Sequence, residues 1–256
     1  LKGVRQGAAI FASIVLLGLC APSGKIFAQS STKSSRAVCR EAIREAFVKG
    51  IQPQDSLLIH GTNIHSIQSA LKHDGRLLTG RSPGNEKRVY FYPNTTHPQA
   101  AELIPANFRF ESRLGVSVNL DQAIEAVGWY ATRGAQEAML QELYFKEYGR
   151  ALSHDLAFEL IESVSNFNRF DSFDTRGIRT TSFLKGLNPW IPQIRSRSGV
   201  ILSFSSDLLK EFELKRAEGN DDGLYIHAPL GVPLKYITGI EPLGDIEYKL
   251  IEDLAR

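Results

Sequence analysis

The chain has 256 residues, with 30 Lys and Arg against 28 Asp and Glu, a formal charge of +2 and two cysteines. That length supports one sizeable core rather than several. So balanced a charge gives no net-charge drive toward nucleic acid, and two cysteines are too few for a disulfide framework.

Residues 1–28 read as a secretory signal. Lys2 and Arg5 form a basic start, Ala8 to Ala21 is an apolar run broken only by Ser13 and Gly18, and small residues follow. The run is shorter than the roughly 20 apolar residues that a membrane-spanning helix needs. Two cleavage points fit, after Ser23 and after Ala28. Lys2, Arg5 and Lys25 lie in the leader and no acid does, so the rest carries 27 basic and 28 acidic side chains. Cys20 goes with the leader, and Cys39 is then alone. The expectation is a secreted or periplasmic protein with no membrane span in its mature part.

Residues 29–36 are small and polar, a flexible leader, and 37–256 read as one domain. A helix is predicted from Arg36 to Lys49, with Val38, Ile43, Ala46 and Phe47 available for its apolar face and Gly50 as its stop. Ser56–His60 is a short apolar strand. Gly61-Thr62-Asn63 follows, and Asn63 caps a helix carrying Ile64, Ile67 and Leu71 that ends at Asp74-Gly75. Strands are predicted at 88–92 and 114–118. Asn119 and Gln122 have capping spacing for a helix with Ala123, Val127 and Tyr130 on one face. Two further helices are expected over 136–150 and 154–165, then an irregular stretch over 168–198. A strand at 199–204, a short helix at 207–214, a strand at 224–227 and a turn at 232–240 leading into a last strand complete the pattern. Strands and helices are interspersed without βαβ alternation, which predicts an α+β fold with a small, partly antiparallel sheet.

His60-Gly61-Thr62 is the strongest local signal for chemistry. A His ends a buried strand, a Gly permits close backbone approach, and a hydroxyl opens the turn into a helix, where amides favour an anion. The same residues also suit an ordinary core His and a turn Gly. The histidines at 60, 65 and 73 lack the short spacing of metal ligands, so no metal site is expected. Asn94-Thr95-Thr96 is a glycosylation pattern, meaningful only in a eukaryotic secretory route. The stretch 168–198 mixes Arg169, Arg176, Arg179, Lys185, Arg195 and Arg197 with Phe170, Phe173, Phe183 and Trp190, fit for a closing loop or a solvated surface.

Three blocks resemble the ADP-ribosyltransferase superfamily, which includes bacterial toxins, poly-ADP-ribose polymerases and tRNA 2′-phosphotransferases. The first is Leu57–Thr62 with the helix ending at Asp74-Gly75. The second is Gly115–Ala123 running into Trp129-Tyr130-Ala131. The third is Leu224–His227 with Gly231–Ile237. The resemblance implies a split, mixed β-sheet core with flanking helices, and NAD as substrate. It assigns His60, Gly61 and Thr62 to an NAD ribose, and places Ser117 where a Tyr or Ser faces the nicotinamide, with Tyr90 as a competing aromatic. The family's catalytic Glu has no counterpart, and Asp222 is the nearest carboxylate, beside Asp221 and with Glu218 further back. Such a carboxylate would stabilise positive charge on the ribose as its bond to nicotinamide breaks. The function implied is transfer of ADP-ribose to a macromolecular target, such as a host protein, by a secreted toxin or effector. A catalytically inactive binding module of the same fold is the alternative. A secreted α/β-hydrolase is a further one, although no Gly-x-Ser-x-Gly occurs in the chain.

Overall fold

A computed structural model of the chain describes residues 35–78, 87–105, 119–165, 186, 188–216 and 224–256. The leader, the expected strand at 114–118 and most of 168–198 lie outside the described residues. Lys33–Arg256 forms one contact unit, built as an α+β fold.

The helices are α1 (Ser35–Lys49), α2 (Ile64–Lys72), α3 (Ala100–Leu103), α4 (Leu120–Tyr148), α5 (His154–Ser165), α6 (Ile191–Arg195) and α7 (Asp245–Ala255). The strands are β1 (Leu58–Thr62), β2 (Arg76–Leu77), β3 (Arg88–Pro93), β4 (Val200–Phe204), β5 (Leu214–Arg216), β6 (Leu224–His227), β7 (Val232–Pro233) and β8 (Ile237–Pro242). Six strands form a sheet in the order β5-β6-β3-β1-β4-β8, while β2 and β7 make a separate ribbon. Every described strand pair is antiparallel. The expectation of a mixed sheet is therefore corrected.

Helices cover the two faces of the sheet. Leu58, Leu202, Phe204 and Phe91 point to one face, where Ile43 of α1, Ile67 of α2 and Ile251 of α7 join them in the main core. Phe91 and Phe204 meet edge to face at 5.4 Å, a favoured aromatic geometry. Ile59 and Ile201 point to the other face and pack on Ala123 and Val127 of α4. The distal half of α4 forms a third cluster with α5 and α6 through Leu140, Leu160 and Ile194.

Capping sets the helix starts as the sequence predicts. Asn63 accepts a hydrogen bond from the Ser66 amide at 2.9 Å, and Asn119 accepts one from the Gln122 amide at 3.0 Å. Several expectations are corrected. The helices expected near 120–131 and 136–150 are one 29-residue helix, α4. On α1, Cys39 takes an inward position and Val38 is exposed; on α4, Tyr130 is exposed. Asp207 belongs to a 3₁₀ turn at Ser206–Lys210, and β5 follows it. Helix α7 was not anticipated. Among the described residues, no helix is long and apolar enough to cross a membrane.

Candidate functional site

Strand β1 runs through His60 and Gly61 to Thr62, so His60 lies inside the strand and the turn into α2 comes at Asn63. His60 stands opposite Leu202, Gly61 opposite Ile201 and Thr62 opposite Val200. Side chains alternate along a strand, so His60 shares the face of Leu58, while Gly61 shares the α4 face with Ile59. The imidazole half-buries against Phe91, with ring centroids 5.6 Å apart.

The ring's Nδ1 lies 2.7 Å from the Tyr90 carbonyl oxygen and donates to it. β3 is the neighbour of β1, so this bond ties the two strands beyond their paired residues, Leu58 with Pro93 and Ile59 with Tyr92. Burial pushes the His60 pKa down and outweighs the opposite pull of the bond to the Tyr90 carbonyl. The neutral ring with its proton on Nδ1 leaves Nε2 as an acceptor. That atom suits a hydroxyl donor on a ligand.

Gly61 lets β1 approach helix α4 closely. A Cβ there would run into the Val127 carbonyl oxygen and come 3.1 Å from the Ala131 amide nitrogen. The close backbone approach that this glycine permits is to helix α4. Gly199, at φ +106°, meets the same helix, and a Cβ there would strike the Ala131 carbonyl. Ala131 of α4 thus packs against both the His60 strand and the lead into β4.

Tyr90 is not brought to His60's side. Ile59 stands opposite Tyr92, and Tyr92 packs with the α4-face cluster. Tyr90, two residues earlier on the same strand, shares that face and lies 5.9 Å from the ring of Tyr225. Its carbonyl reaches His60. Thr62 shares the His60 face by alternation. Ser117, Asp222, Asp221 and Glu218 lie outside the described residues.

Other candidates find their places. Asn94 is fully buried. Its Nδ2 donates to the carbonyls of Pro53 at 3.0 Å and Ser56 at 2.9 Å, so the folded protein does not offer it to a glycosylating enzyme. His154, which has no evident partner in the sequence, lies 2.6 Å from the Glu137 carboxylate. Among the described residues, no group of three His, Cys, Asp or Glu side chains is arranged to hold a metal.

A cleft of about 630 Å³ opens next to the β1–α2 turn. Asn63, Met139, Arg197, Gly244 and Glu247 are among its lining residues, and His60 is not. The sequence offered one sign of it: Glu247 stands three residues after Gly244, the spacing of a residue that reaches back over its helix start.

Comparison with protein-family models, with curated proteins and with solved structures finds no match to this chain.

Proposed function

We propose that this chain is an exported ADP-ribosyltransferase-like protein that grips an NAD ribose through His60 and transfers ADP-ribose to a macromolecular target. The carrying observation is the placing of His60: its Nδ1 donates to the Tyr90 carbonyl, which leaves Nε2 as the acceptor of the neutral ring, in the middle of a strand that turns into α2 after Thr62. A ribose hydroxyl is a matching donor. Three further features agree with the reading. Helix α4 packs behind the His60 strand, β6 is the last but one strand of the six-stranded sheet in chain order, and Val232-Pro233 lies between β6 and β8.

In this reading Thr62 lies beside the ribose, Ser117 faces the nicotinamide and Asp222 supplies the anion that stabilises the ribose cation. The nicotinamide–ribose C–N bond breaks, nicotinamide departs with the bond's electron pair, and a nucleophile on the target bonds to the ribose carbon. Gly61 lies beside the ribose with its Cα against α4, and Tyr90, on the opposite face from His60, enters through its carbonyl. The second reading is a module that binds a nucleotide without turnover. The absence of a Glu before β6 favours it, because Asp222 is shorter by one methylene.

The deciding experiment follows nicotinamide release from NAD by residues 29–256, beside His60→Ala and Asp222→Ala. Release that falls in both variants supports the transferase. Losing one hydrogen bond to the ribose weakens NAD binding by about tenfold in His60→Ala. NAD binding without release, lost in His60→Ala, supports the binding module. A folded protein that neither binds nor cleaves NAD rejects both. Export is tested by expressing the chain with and without residues 1–28 and locating the product.

A further inference from the structure

The cleft beside the β1–α2 turn has walls from four parts of the chain. Asn63, Ile64 and His65 come from the start of α2; Ala135, Met139 and Glu142 from α4; Gln193 and Ser196–Ser198 from the end of α6 and the lead into β4; and Leu243–Glu247 with Leu250 from the start of α7. The lining is mainly apolar in area, yet three carboxylates belong to it: Glu142, Asp245 and Glu247.

Glu247 is the decisive one. It is 7% exposed and its carboxylate makes no hydrogen bond or ion pair within the described residues. Its Oε2 lies 2.6 Å from where a Cβ on residue 244 would stand, so glycine at that position leaves the carboxylate its place. Glu247 lines the cleft and neither of its oxygens is among the buried unpaired atoms, so this unpaired anion is open to whatever enters the cleft.

Arg197 lines the same cleft but does not supply a cation to Glu247. Its Nη2 lies 2.9 Å from the position of a Cβ on Gly128. Gly128 is seven residues before Ala135 on α4, roughly 10 Å along the helix axis at the standard rise. The guanidinium thus lies against α4 at Gly128, while the Arg197 main-chain carbonyl lies beside Gly244, 3.1 Å from its Cβ position. His65 stands exposed at the rim. What remains is an unpaired acidic group in a cleft whose lining is mainly apolar in area.

We propose that this cleft binds an organic cation, an ammonium or guanidinium on an aliphatic stem. The charged head meets Glu247, with Asp245 and Glu142 near it, and the stem lies on Ile64, Met139 and Leu250. The residues assigned to NAD take no part, so the proposal stands or falls apart from the transferase reading.

Calorimetric titration of residues 29–256 with cadaverine, at low ionic strength and without NAD, is the test. Hexanoate serves as the anionic control of similar length. Cadaverine is expected to bind at least tenfold more tightly than hexanoate. Glu247→Gln, shown to be folded by circular dichroism, is expected to lose tenfold or more in cadaverine affinity. Met139→Trp, which narrows the cleft where the stem would lie and keeps every carboxylate, is expected to lose tenfold or more in cadaverine affinity, and it serves as the test if Glu247→Gln fails to fold. No cadaverine binding in the millimolar range, equal or tighter hexanoate binding, or full affinity in a folded variant overturns the proposal.

Discussion

Gly61 shows how one missing side chain fixes a helix. The atoms that a Cβ would meet are the carbonyl of Val127 and the amide of Ala131, both main chain, so no rotamer change makes room. Gly61→Ala is expected to cost about 1–3 kcal/mol, the usual range for overpacking, as read from the urea midpoint. His60 gives a second expectation at this scale. Burial lowers its pKa in the folded state, so between that value and the usual histidine value the unfolded chain holds more protons. Stability then rises with pH through that window and levels off above it. Subtracting the profile of His60→Gln, measured by urea unfolding at each pH, should remove this contribution and leave that of the carboxylates. An unchanged slope in the variant would show that His60 is neither buried nor neutral as described.

At the scale of the element, the cap residues of α2 and α4 were legible because a short polar side chain before an apolar run has few other uses. Asn119→Ala is expected to cost about 1 kcal/mol in thermal or urea unfolding, from the loss of the bond to the Gln122 amide. The length of α4 was not legible. Gly134 looks like a break, since glycine inside a helix costs roughly 1 kcal/mol relative to alanine. In the fold its carbonyl accepts from Asn63 Nδ2 at 3.4 Å, so the start of α2 rests on this turn of α4. Helix α7 was missed for the opposite reason. Its N-cap is Gly244, which has no side chain to announce a start, and its inward residue Ile251 declares itself only through the main core. Strand β5 has three residues and no alternation to read, and pairing with β6 alone makes it a strand.

For the whole molecule, the fold class was within reach and the sheet order was not. Interspersed short strands and helices indicate α+β, but no local pattern says that β1 lies between β3 and β4 or that β6 adjoins β3. Those neighbours are set by which faces pack together, information spread over distant residues such as Phe91 and Phe204. The candidate site divides in the same way. His60 stood out because a histidine inside an apolar run is conspicuous, whereas the face on which Tyr90 lies depends on strand register. The Glu247 cleft assembles segments more than a hundred residues apart, so only the folded chain reveals it. The two glycine contacts on α4 also carry a consequence for the protein's tolerance of change. Gly61 and Gly199 precede or belong to neighbouring strands, and both abut the main chain at Ala131. In a saturation library these two positions should therefore be intolerant together, and no side-chain exchange along α4 should rescue either one. Suppressors would have to displace the helix itself.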